Sequence, residues 1–173
     1  PKYSSITRLS MKYNRFQTLS PGTVSEDPEL QHSNPASYAA SQVALKGLSL
    51  SPMPHLTFLD VSSNSLAHLP HDLTMLSQLK ILDVSYNNLV VLQPEFGRLL
   101  QLQKVNTRHN PWRSPPDPVI YMDAPRLTAY LRDVLSAAHS RAFSACSLNI
   151  VFFPPEICKY GELETLDLGN NIM

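Results

Sequence analysis

One eleven-residue spacing recurs five times along this chain, and it limits the possible folds more than any other feature. Its clearest copy reads Leu56-x-x-Leu59-x-Val61-x-x-Asn64-x-Leu66, followed by Leu69 and Pro70. A shift of 23 residues gives Leu79-x-x-Leu82-x-Val84-x-x-Asn87-x-Leu89. A second shift gives Leu102-x-x-Val105-x-Thr107-x-x-Asn110-x-Trp112. The pattern also occurs early, at Ile6, Leu9, Met11, Asn14 and Phe16, and late, at Leu163, Leu166, Leu168, Asn171 and Met173. Such self-similarity marks a stack of short units, each burying its apolar face against its neighbours.

The spacing has a direct physical reading. Leu59-x-Val61 and Leu82-x-Val84 alternate with period two, which predicts short strands with one face inward. An Asn at a fixed offset after each strand can bond backbone groups that the bending chain leaves unpaired. Stacked copies would then form a ladder. Between strands, Leu73 and Leu76 are spaced for a short helical turn within 72–78.

With Leu69-Pro70 after the Asn, the 23-residue unit resembles the intracellular type of leucine-rich repeat found in Ras-pathway scaffold and Scribble-like proteins. The resemblance covers roughly two thirds of the chain. It implies an α/β solenoid: an arc with short parallel strands on the concave face, an irregular or helical convex side and a capping helix. It also implies function through protein binding. The run Asn110-Pro111-Trp112-x-x-Pro115-Pro116 and the following Ala124-Pro125-Arg126-Leu127 are similar to that family's terminal unit. There, paired prolines and a Tyr-Leu-Arg helix close the solenoid. Trp112 takes the place of a repeat leucine, with a ligand-binding tryptophan as the alternative.

The expected organisation is an array over 1–139, with an insert at about 24–48 and the capping helix at about 125–139. A further, truncated array starts within 140–173, visible from Cys146 to Tyr160. Asn14 and Asn64 lie 50 residues apart, two units plus four, which leaves room for a degenerate second repeat. Ser33-Asn34-Pro35, a helical Ala36–Lys46 composition and Gly47 predict a convex-side helix inside the insert. Leu127, Tyr130, Leu131, Val134 and Ala138 form a helical stripe, expected to cover the last strand of the first array near Trp112. The last unit stops mid-repeat at Met173 and the chain starts at Pro1, so we expect a piece of a larger protein.

Composition removes several function classes. Fourteen Lys and Arg balance fourteen Asp and Glu, which argues against direct nucleic-acid binding or a membrane-surface role. No apolar run reaches the length of a membrane span, so membrane insertion is not expected. Cys146 and Cys158 are read as two small buried hydrophobes, with a bridge or redox pair as the alternative. Without cysteine-rich caps or sequons, the reading leans intracellular, in the cytoplasm. His68-x-x-His71 is the nearest approach to metal-ligand spacing and is read as solvated. No nucleophile has an obvious His partner. No catalytic residue, cofactor or metal is assigned, and the chain is not read as an enzyme.

Positions between the buried leucines should face outward from the strands. They supply the expected partner-binding set: Arg8, Tyr13, Phe58, Asp60, Ile81, Asp83, Tyr86, Lys104, Arg108 and His109. Exposed Phe58 and Ile81 on neighbouring strands would form the apolar centre of an interface. Asp60, Asp83, Asn106 and Asp167 share one column, read as a solvated polar row that favours a basic element opposite. Ser62 and Ser63 are read as outward fillers. The leading function is a non-catalytic scaffold or adaptor in signalling, held in a larger complex or a longer chain, with an unidentified protein partner. The alternatives are a structural subunit of a large ribonucleoprotein or cytoskeletal assembly, and a regulatory domain of an enzyme whose catalytic part lies elsewhere.

Overall fold

The computed structural model describes residues 5–15 and 53–173. Four three-residue strands form one parallel sheet in the order β1 (Arg8–Ser10), β2 (Phe58–Asp60), β3 (Ile81–Asp83) and β4 (Lys104–Asn106). Each strand pairs through the repeat register: Leu9 lies beside Leu59, Leu59 beside Leu82, and Leu82 beside Val105. Strands this short are too small to be stable singly, so the order must come from stacking. Inward columns supply it. Leu56, Leu59, Val61, Leu66, Leu79, Leu82, Val84 and Leu89 are all buried in one core.

The asparagine ladder is present. The Asn87 Nδ2 donates to the carbonyls of Val61 at 3.0 Å and Val84 at 3.0 Å, while its Oδ1 accepts the Leu66 N–H at 3.0 Å. Asn110 repeats these bonds one unit on, to Val84 and from Leu89. Asn64 reaches back to the Met11 carbonyl at 3.0 Å. Asn87 is buried as expected, but Asn64 is only half-buried, because the unit beside it is the outermost described one.

The space for a degenerate second repeat is not used in the sheet. β1 pairs directly with β2, Arg8 against Phe58, across an offset of 50 residues rather than 23. Met11 N–H donates to the Asp60 carbonyl at 2.7 Å, which seats the first unit against the second. The helix expected within 24–48 lies outside the described residues.

Opposite the strands, the chain returns through short 3-10 turns at His71–Met75, Pro94–Arg98 and Pro155–Ile157. Leu73 and Leu76 are buried there, as their spacing predicts. The only long helix among the described residues is α1 (Ala124–Ser140). Asp123 caps its start by accepting the Arg126 N–H at 3.0 Å, and Pro125 sits in its first turn. Arg141, at φ 53°, ends it, its N–H donating to the Ala137 carbonyl. The buried stripe is Leu127, Tyr130, Leu131, Val134 and Ala137; Ala138 is exposed, one position off the face expected from sequence.

This helix packs mainly against the Pro94–Arg98 turn, not over the last strand. The reason is Gly97. A Cβ there would lie 2.5 Å from the Arg132 backbone nitrogen, so only glycine allows the helix so close. Trp112 is half-buried, and its indole N–H donates to the Thr107 carbonyl at 2.7 Å.

On the other side of α1, β5 (Ala142–Ser144) pairs in parallel with β6 (Thr165–Asp167). Phe143 lies beside Leu166, an offset of 23, the same unit length that separates β2, β3 and β4. This pair begins at Ala142, ahead of the expected Cys146. Phe143, Ala145, Ile150 and Ile157 join the same buried core as the first sheet. A polar clasp adds to this: buried Glu156 accepts from Ser114 Oγ at 2.9 Å and from the Tyr130 hydroxyl. Burial, reinforced by the Glu156 charge and hydrogen bond, holds the Tyr130 hydroxyl far above its ordinary range. The cysteines are free thiols; Cys146 is half-buried and Cys158 exposed, so neither is the buried hydrophobe read from sequence.

Candidate protein-binding face

Because strand side chains alternate, the register places the outward residues in rows across the first sheet. One row runs Arg8, Phe58, Ile81, Lys104, and the next runs Ser10, Asp60, Asp83, Asn106. After the strands, each unit turns a corner at a residue with positive φ: Tyr13 at 59°, Ser63 at 56°, Tyr86 at 54° and His109 at 58°. Large side chains seldom adopt this conformation. The ladder holds it, since Ser63 N–H still donates to the Ser85 carbonyl and Tyr86 N–H to the Arg108 carbonyl. The corner leaves Tyr13 and Tyr86 as exposed rings, and Tyr86 stacks on His109 with centroids 4.0 Å apart.

The acids do not behave as a free polar row. Asp60 Oδ1 accepts both the Ser62 N–H at 3.0 Å and the Ser62 hydroxyl at 2.6 Å. Asp83 does the same with Ser85, and its Oδ2 accepts from Asn106 at 3.1 Å. Ser62 and Ser85 are therefore buried partners of the turn, not outward fillers. Asp167 is exposed and accepts the Gly169 N–H; bonds from the Cys146 thiol and then from Gly169 lower its pKa.

Phe58 and Ile81 are adjacent, as expected, but half-buried rather than exposed. The Arg8 guanidinium lies over the Phe58 ring, 4.0 Å from its centroid, and covers part of it. A shallow depression of about 440 Å³ runs beside Ile81, Asp83, Lys104 and Asn106 to Asp123 and Ala124 at the start of α1. Among the described residues, no group of three or more His, Cys, Asp or Glu could hold a metal, and no helix is long and apolar enough to cross a membrane.

The family description Leucine Rich Repeat matches residues 55–76 and 78–99, the units that carry β2 and β3. Residues 55–99 thus carry two leucine-rich repeats. A solved leucine-rich-repeat protein of Leptospira interrogans is 16% identical, with a TM-score of 0.35, over 97% of this chain and 56% of its own. The chain thus spans little more than half the length of that protein. No curated protein matches. Leucine-rich repeats commonly mediate protein–protein contacts and are typically not catalytic.

All ten sequence-derived residues lie on one face or its corner column. Arg8, Lys104, Arg108 and His109 are exposed, with Tyr13 and Tyr86; Asp60 and Asp83 are half-buried with Phe58 and Ile81. Lys12 is exposed on the same face, its ammonium 4.7 Å from the Tyr13 ring centroid. The recurring Asp60-x-Ser62 and Asp83-x-Ser85 pairs were the unused signal for the tethered acids.

Proposed function

We propose that this leucine-rich-repeat chain is a non-catalytic scaffold or adaptor module that binds a protein partner through its strand face. The observation that carries this reading is the contrast between two sides of one sheet. Inward columns are filled by close-packed leucines, while the outward rows hold Ile81, Tyr86, Lys104 and Arg108, which the packing does not require. In this reading the sheet is the concave side of an arc, α1 caps the array of 1–139, and 140–173 begins a further array. The setting is the cytoplasm, in signalling, within a larger assembly.

Ile81 and Tyr86 are the residues to test, because Phe58 is partly covered and its loss would perturb packing. Ile81→Ser with Tyr86→Ser should abolish capture of the partner while the chain still melts cooperatively, with a small drop in melting temperature from the half-buried Ile81. Changes at exposed Met75 and Gln78, on the opposite side, should leave capture intact. Normal capture by the double variant, with loss on deletion of 24–48, would favour an obligate subunit held by its insert instead.

A further inference from the structure

We propose that the strand face recognises an extended acidic segment, with carboxylates four residues apart and an apolar side chain midway between them. This names the partner chemistry of the face proposed above and rests on that reading.

Four cations frame the face. Arg8 and Lys12 stand on and just after β1; Lys104 and Arg108 stand on and just after β4. The ion pairs among the described residues lie elsewhere, at Arg126–Asp123, Arg141–Glu162 and Arg141–Glu164. Among the described residues, none of the four framing cations is in an ion pair. The two acids inside the frame, Asp60 and Asp83, are turned back onto Ser62 and Ser85. Asp123 borders the face but is matched by Arg126. Counted over the described residues, four cations against two tethered carboxylates give the frame an excess of positive charge, although the whole chain is neutral. A basic partner, the simple expectation from an Asp column, would meet this excess. An acidic one complements it.

The register fixes the spacing. Arg8 and Lys104 end one row, with Phe58 and Ile81 between them. Three inter-strand steps of about 4.8 Å separate β1 from β4, about 14 Å in all. An extended segment crossing the strands advances about 3.3 Å per residue and covers this in about four residues. Its side chains at i, i+2 and i+4 point the same way. The first and last then meet Arg8 and Lys104, and the middle one meets Phe58 and Ile81. Arg8 is already held over the Phe58 ring, which limits the ordering needed to bind a carboxylate. Beyond this row, Lys12 and Arg108 flank a second acidic position, beside the Tyr86–His109 stack.

Fluorescence polarisation on the full chain tests this with labelled peptides centred on Glu-Ser-Leu-Ser-Glu, Lys-Ser-Leu-Ser-Lys and Glu-Ser-Ser-Ser-Glu. The first should bind, and the lysine peptide should not. The serine-centred peptide should bind more weakly. Lys104→Glu with Arg108→Glu should weaken the first by about tenfold or more at unchanged melting temperature, and added salt should weaken it in the wild-type chain. Equal or tighter binding of the lysine peptide would overturn the proposal, as would binding of none of the three. Displacement of the acidic peptide by single-stranded oligothymidylate at lower concentration would overturn it too, in favour of a nucleic acid. If Ile81→Ser with Tyr86→Ser abolishes capture of the cellular partner while the charge reversal leaves it intact, the acidic specificity fails and the binding face stands.

Discussion

Leu82 and Leu166 hold the same place in the repeat, yet Leu82 is 1% exposed and Leu166 is 43% exposed. Leu82 has β2 on one side and β4 on the other, whereas Leu166, among the described residues, has β5 on one side only. The asparagines show the same contrast. Asn87 is buried between two units, while Asn14, in the outermost described unit, is exposed although it bonds the Met11 and Lys12 carbonyls. Place within the repeat decides where a side chain points. Place within the stack decides how much water it loses, and therefore how much it stabilises.

The largest consequence of this comparison is in the leucines. Leu82→Ala should destabilise by about 2–5 kcal/mol, through lost transfer free energy plus a cavity that the flanking strands cannot fill. Leu166→Ala should cost much less, because the side chain is already partly in water. Chemical denaturation of the two variants gives the ratio directly, and equal losses would break the comparison. The ladder is next. Asn87→Ala leaves the Leu66 N–H and the Val61 and Val84 carbonyls short of partners and should cost about 1–3 kcal/mol. Asn14→Ala, whose bonding groups water can reach, should fall within about 0.5 kcal/mol of wild type.

The last effect concerns the joint between the two sheets and appears only in alkali. The raised Tyr130 pKa means the folded state keeps a proton that the unfolded state loses above about pH 10. This stabilisation by the neutral hydroxyl is therefore fully present below that pH. Stability should fall as pH rises past it, by up to about 1.4 kcal/mol per pH unit. Tyr130→Phe should flatten that fall in denaturation curves taken from about pH 8 to pH 11. An unchanged slope would mean Tyr130 ionises as freely in the folded chain as in the unfolded one.

Much of the array was legible because its apolar spacing and its strand register are the same pattern. Leu59, Leu82 and Val105 pair as their template positions predict, and α1 lies where Pro125 and the apolar stripe put it. Other features had no such code. Counting residues between Asn14 and Asn64 cannot separate a lost repeat from an insertion; only the pairing of Arg8 with Phe58 does. The start at Ala142 was hidden because Phe143 and Ala145 replace the Leu and Val of the template, and Leu148 stands where the Asn would be. The helix partner was hidden in Gly97, whose role depends on how closely Arg132 approaches. On the binding face, outward direction was readable from alternation, but the state of each charge was not. Whether Asp60 faces water or Ser62 is set by a turn whose positive φ at Ser63 carries no glycine to announce it.

The direct test of the strand-face account is site-specific photocrosslinking. A benzophenone side chain placed at Tyr86 should yield a covalent adduct with the partner, and the same group at exposed Met75, on the opposite side, should yield none. Adducts from position 75 and none from position 86 would contradict it.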